Sequence, residues 1–122
     1  MKKLCIIILM LISAGCSLIP SKFDSNEAKI MTDIQLTIRE FDCSNPVNQI
    51  NELHKEVYWL QIYSSFRGSR DILSIIDGLS NTVTEFKARI NNGPISPMYC
   101  DLKKKILIQQ ADISAKAVHG RF

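Results

Sequence analysis

Residues 72–90, ILSIIDGLSNTVTEFKARI, decide the fold. Ile72, Ile76, Leu79, Val83, Phe86 and Ile90 follow one another at steps of four, three, four, three and four residues. That spacing keeps six large apolar side chains on one stripe of an α-helix, in the heptad pattern of a helix packed along its length. Such a seam can close on helices of its own chain or on a coiled coil of another, and both uses stay open. Asn91-Asn92-Gly93-Pro94 ends this helix firmly, while Gly68 supplies the turn before it and Ser69 a cap.

Three further helices extend from this one. Asn45-Pro46 starts a helix that runs to about Phe66, with Asn45 as cap, Pro46 at the first helical position, and Ile50, Leu53, Val57 and Leu60 on its inner face. Ser96-Pro97 opens another that reaches about Val118, for which Leu102, Ile106 and Ile113 are the expected inward residues. The segment after Asp24 is less one-sided. Asp24 and Glu27 have capping-box spacing, and Ile30, Ile34, Ile38 and Phe41 fall near one helical face. Ile34, Leu36 and Ile38 also alternate as in a strand, so residues 30–42 read as either. The expected fold is all-α, a small antiparallel bundle of three to four helices.

Short links at Gly68 and Gly93-Pro94 favour antiparallel neighbours. In an up-down bundle the first helix ends, the second begins, the third ends and the fourth begins at one pole. Cys43 and Cys100 therefore arrive together, which favours a bridge within the chain. The chain-entropy model gives such a bridge, closing more than fifty residues, about 4 kcal/mol. A bridge between two chains, giving a covalent homodimer, and a pair of free thiols are the alternatives. With no CxxC and no nearby histidine pair, these cysteines lack metal-ligand spacing, so no metal is expected.

At the other end of the chain, Lys2 and Lys3 precede an unbroken apolar run, LCIIILMLI at residues 4–12, and Ser13-Ala14-Gly15 places small residues directly before Cys16. Basic start, short apolar run and small-residue site have the layout of a secretory signal, and the run is too short to span a bilayer. Ala-Gly-Cys resembles a bacterial lipobox, with Ser13 where that pattern usually has Leu. The resemblance implies a signal peptide over 1–15, a tether over 16–24 that carries covalent lipid on Cys16, and a periplasmic helical body over 25–122. Lipid at about 0.8 kcal/mol per buried methylene would anchor it stably. Ser17 stands where inner-membrane lipoproteins usually carry Asp, so the pattern implies the inner leaflet of the outer membrane. Cys5 leaves with the signal, and export would put Cys43 and Cys100 in an oxidising compartment.

Loss of Lys2 and Lys3 lowers the formal charge from +3 to about +1, which offers no electrostatic reason to expect nucleic-acid binding. The basic run Lys103-Lys104-Lys105 reads as a solvated helix face. Roughly a hundred mature residues suffice for one small domain.

Catalytic patterns are missing from the sequence. His54 sits in HKE and not in HExxH, and His119 has no sequence-level partner. Asp71 and Asp77 are poorly spaced to share a helix face, and Asp71 suits a helix start. There is no GxSxG and no phosphate-cradling glycine loop. The chain is not expected to be an enzyme or to need a cofactor beyond its lipid.

Binding is the more promising chemistry. Tyr58, Trp59, Tyr63 and Phe66 gather within nine residues, and Trp59, Ile62, Tyr63 and Phe66 form a stripe offset from the Leu53–Val57–Leu60 seam. The stripe is either core beneath a neighbouring helix or an exposed partner site, since Trp and Tyr are favoured interface anchors.

The SAGC signal ending, the small body and the heptad-bearing helices together resemble the outer lipoprotein subunit of bacteriophage spanins, and the lysine- and isoleucine-rich composition is similar to that of T-even-type phage proteins. The resemblance implies a lipoprotein of the host outer membrane. It would pair with an inner-membrane spanin through that subunit's periplasmic coiled coil and join the two membranes during lysis. Four prolines and an apparently folded body depart from the shorter, proline-rich members. Small helical outer-membrane lipoproteins with one disulfide also resemble secretion-system pilotins, for which a groove lined by Trp59, Tyr63 and Phe66 would suit an amphipathic peptide. A phage lipoprotein that excludes superinfection is a third expectation. A pilotin should be a monomer with a groove, whereas a spanin should dimerise.

Overall fold

Asp24 opens the first helix: its carboxylate accepts hydrogen bonds from the backbone N–H groups of Asn26 at 3.0 Å and Glu27 at 2.9 Å. The computed structural model describes residues 20–121, so the expected signal peptide over 1–15 and the expected lipidation at Cys16 lie outside the described residues. Four helices follow: α1 (Ser25–Arg39), α2 (Pro46–Arg67), α3 (Arg70–Asn91) and α4 (Pro97–His119). Each packs on its sequence neighbour and α4 closes back on α1, while the diagonal pairs stay apart. The chain is an all-α, up-down four-helix bundle, and no described helix is long and apolar enough to cross a membrane.

The strand alternative for residues 30–42 ends at Leu36. Ile34 and Ile38 are fully buried, yet Leu36 between them is 54% exposed. A strand would send all three to one face; a helix puts Leu36 on the far side. The capping-box expectation for Asp24 and Glu27 holds for Asp24 alone, because Glu27 points into the core and pairs elsewhere. At α2, Pro46 occupies the first turn, and Asn45 precedes it without a side-chain cap bond. Gly68 ends α2 at φ +73°, a left-handed conformation that glycine adopts without steric cost. Ser69 precedes α3 but likewise makes no cap bond; its hydroxyl is buried.

All six residues of the α3 heptad seam are buried, against Ile50, Leu53, Val57 and Leu60 of α2 and Met31, Ile34 and Ile38 of α1 in one continuous core. The seam is used within the chain.

The inward face expected of α4 is corrected. Leu102 is 56% and Ile113 66% exposed, and Ile106 is half-buried. The buried residues are Cys100, Leu107, Ala111, Ser114, Ala115 and Val118. Cys100 fixes this phase: it is fully buried and bonded to Cys43, with Cα atoms 5.9 Å apart, so the positions seven, eleven, fifteen and eighteen residues on face inward with it. Apart from Leu107 and Val118 the inward side chains are small, with Ala111, Ser114 and Ala115 among them, while Leu102 and Ile113 are left outside.

Two poles result. At the disulfide pole Phe86 packs tilted against Phe41 and edge-on against Tyr99, with ring centroids 5.5 and 6.1 Å apart, and Lys104 Nζ donates to the Phe41 carbonyl at 2.7 Å. The opposite pole receives the incoming tether. Ser21 donates from its backbone N–H to Asp71 Oδ2 at 3.1 Å and from its hydroxyl to Asp71 Oδ1 at 2.6 Å. The tether expected over 16–24 is therefore already held to the bundle from Ser21 onward. Arg121 lies beside it, buried, and donates to the Ser21 hydroxyl and to Glu27 Oε2, the latter at 2.5 Å.

Candidate interaction face

The stripe on α2 is sorted by helical rotation of about 100° per residue. Ile50, Leu53, Val57, Leu60 and Ser64 take the core side. Trp59, Ile62 and Phe66 fall on the opposite side, and all three are in solvent: Trp59 is 55% exposed and Phe66 92%. Tyr58, also exposed, joins them. Tyr63 does not. It turns toward α1, half-buried, and its hydroxyl accepts from Asn26 Nδ2 at 3.0 Å. Of the four candidate contact residues three share one face, and Tyr63 belongs to the α1–α2 joint.

The face is confined to the half of α2 nearest the tether. The outward residues of its first half, Asn48, Asn51, Glu52 and Lys55, are polar and exposed, with Val47 in the first turn the one exposed large apolar side chain there. Beyond them Ile62 and Phe66 meet Leu73 of α3 around a shallow open depression of about 510 Å³, with Gln61 and Ser65 completing its lining. Burying a side chain of the size of Phe or Ile is worth roughly 1.5–3 kcal/mol. On this face that gain is unrealised in the isolated bundle.

The titratable groups with displaced pKa values are tied into the helix–helix contacts and loop bonds of the bundle. His54 Nδ1 is 3.4 Å from Lys87 Nζ; burial and the adjacent ammonium charge both pull the imidazole below its usual pKa, so it is neutral at pH 7. Glu56 is held above the usual carboxylate range by burial, only partly countered by the Thr37 hydroxyl at 3.1 Å. Asp112 is lowered by hydrogen bonds from Arg39 at 2.7 Å and Gln35 at 2.8 Å, which link α4 to α1. His119, exposed at the end of α4, stands 3.3 Å from Thr32 Oγ1. Among the described residues no three His, Cys, Asp or Glu side chains come together as metal ligands. Asp71, placed by sequence at a helix start, lies in the first turn of α3 and receives Ser21. Burial raises its pKa, but the Ser21 bonds outweigh this and leave it lowered.

The arrangement can therefore hold another apolar surface, with Trp59, Ile62 and Phe66 as anchors. The sequence marks the stripe and the neighbouring Tyr58 but leaves open whether they face core or solvent, and it gives no sign of Leu73, which a helical-wheel projection of α2 against α3 would have added. Compared with known protein families, with curated proteins and with solved structures, the chain gives no match.

Proposed function

We propose that this chain is a lipid-anchored binding protein on the periplasmic face of the outer membrane, of the pilotin type, which receives an amphipathic segment of an envelope protein on α2. The observation that carries the reading is the exposure of Trp59, Ile62 and Phe66 on a bundle that has used its heptad seam internally. Cys43 and Cys100, bonded to each other, leave neither thiol for a covalent dimer. A self-contained bundle with an open apolar face is what a monomeric carrier requires. A helix with apolar residues at i, i+3, i+4 and i+7 would lie along this face and cover it.

The spanin reading stands as the second, supported by the same anchor and face. In that setting α2 would take the periplasmic coiled coil of an inner-membrane subunit, and the work would come from association.

One pair of experiments separates the two. Cells expressing the full chain, its Cys16→Ser variant or its Trp59→Ser/Ile62→Ser variant are fractionated for a co-expressed secretin. They are also followed by microscopy during holin–endolysin lysis. Loss of the secretin from the outer membrane with either variant, and normal bursting, supports the pilotin reading. Cells that round up without bursting, with secretin unaffected, support the spanin reading. Neither effect overturns both. The double variant should fold normally, since exposed substitutions usually change stability by no more than about 0.5 kcal/mol.

A further inference from the structure

The pole that receives the tether exposes aromatic and cationic side chains together. Phe23, in the tether, and Phe66, in the last turn of α2, are both exposed there. Lys22 and Arg70 are exposed beside them. Among the described residues the carboxylates of the same pole are turned inward or occupied: Glu27 is buried against Arg121, Asp71 accepts from Ser21, and Asp24 pairs with Arg67 at 3.2 Å. Among exposed neutral residues such as Ser25 and Ser65, the groups left facing outward are the rings of Phe23 and Phe66 and the cations of Lys22 and Arg70.

Chain length fixes what this pole meets. Ser21 is bonded to the bundle, and only five residue steps separate it from Cys16, at most about 18 Å of extended chain. If Cys16 carries lipid, as the proposed function holds, the pole cannot leave the neighbourhood of the headgroups. Aromatic rings sit favourably at a membrane–water interface, and lysine or arginine close to an anionic surface contributes about 1 kcal/mol each.

We infer that the tether pole is a second, non-covalent membrane contact, in which Phe23 and Phe66 enter the headgroup layer and Lys22 and Arg70 meet the phosphates of anionic phospholipids. This contact stands the bundle upright on the leaflet. Trp59 lies seven residues before Phe66, about 10 Å further along the helix axis, and stays above the surface where a partner can reach it. The membrane and the partner then divide the exposed face of α2 between them.

Trp59 is the only tryptophan, which makes the test direct. The full lipidated chain and its Trp59→Phe/Phe66→Trp variant are reconstituted in phosphatidylcholine vesicles, with and without phosphatidylglycerol, whose acyl chains are brominated near the headgroup. Mass spectrometry of the N-terminal fragment reports acylation separately. The expected result is quenching of the variant's indole at least twofold stronger than that of Trp59, together with dependence on phosphatidylglycerol. Lys22→Glu/Arg70→Glu should reduce that quenching at least twofold without changing thermal unfolding. An acylated chain whose variant indole is not quenched overturns the docking and leaves the anchor intact. An unacylated chain removes the lipoprotein reading instead. Flotation of that chain with the anionic vesicles then decides the docking alone, with co-flotation supporting it and its failure overturning it.

Discussion

Glu27 and Arg121, 94 residues apart in sequence, form a buried ion pair of 2.5 Å that ties the first turn of α1 to the end of the chain. Both side chains are almost wholly excluded from solvent, and Glu27 Oε1 has no further partner. A buried pair of this kind adds little over an apolar replacement, yet breaking one side strands a charge. Arg121 also donates to Ser21, so the same guanidinium joins both ends of the described chain.

Arg121→Ala should therefore destabilise the bundle by about 3–5 kcal/mol, because Glu27 keeps its burial and loses its counterion. Glu27→Met/Arg121→Met should recover most of that loss. Urea unfolding of the wild type, the single variant and the double variant gives the comparison. A single variant within 1 kcal/mol of wild type, on the order of an exposed pair, would refute it.

The Cys43–Cys100 bridge spans 57 residues of sequence. In the chain-entropy model its removal costs about 4 kcal/mol. Cys43→Ser/Cys100→Ser should shift the urea midpoint accordingly at unchanged helical circular dichroism in water. Wild type in reductant should follow the variant.

His54 sets a pH dependence of definite sign. Its folded pKa lies below the ordinary 6.5 through burial and Lys87, so the unfolded chain binds its proton more readily. Stability contributed by the neutral imidazole is complete above pH 6.5 and declines as pH falls from there toward the folded pKa. Glu56 acts oppositely: its folded pKa lies above 4.5, so ionising it costs stability as pH rises past that value. His54→Asn should flatten the first slope and Glu56→Gln the second, measured as melting temperature between pH 4 and 8.

The rotational phase of α4 can be tested by substitution on its two sides. Ala111 and Ala115 face the core, so Ala111→Leu should overpack it and cost about 1–3 kcal/mol. Ile113→Lys, on the exposed side, should stay within about 0.5 kcal/mol of wild type. The reverse ranking would restore the phase expected from sequence.

That phase marks how far the sequence could be read. The α3 seam was legible because its six inward positions all carry large apolar residues, and the turns at Gly68 and Gly93-Pro94 gave the antiparallel order. In α4 the inward positions are mostly small, and hydrophobic size pointed to Leu102 and Ile113 on the wrong side. Only the distant constraint from Cys43 sets it. Glu27 misled in the same way: its spacing from Asp24 matches a local cap, while its partner, Arg121, comes from the far end of the chain. The α2 stripe was visible as a stripe, but whether it faced core or water depended on the α1–α2 joint, where Asn26 draws Tyr63 away from it.

The bridge between Cys43 and Cys100 also determines how the molecule would answer to mechanical load. Tension applied between the chain before Ser21 and the C-terminal end passes through α1, crosses at the sulfur–sulfur bond and leaves through α4. The loop it closes contains all of α2 and α3. Those two helices lie off the line of force, so the face bearing Trp59 and Phe66 can stay folded while the segments on either side are stretched.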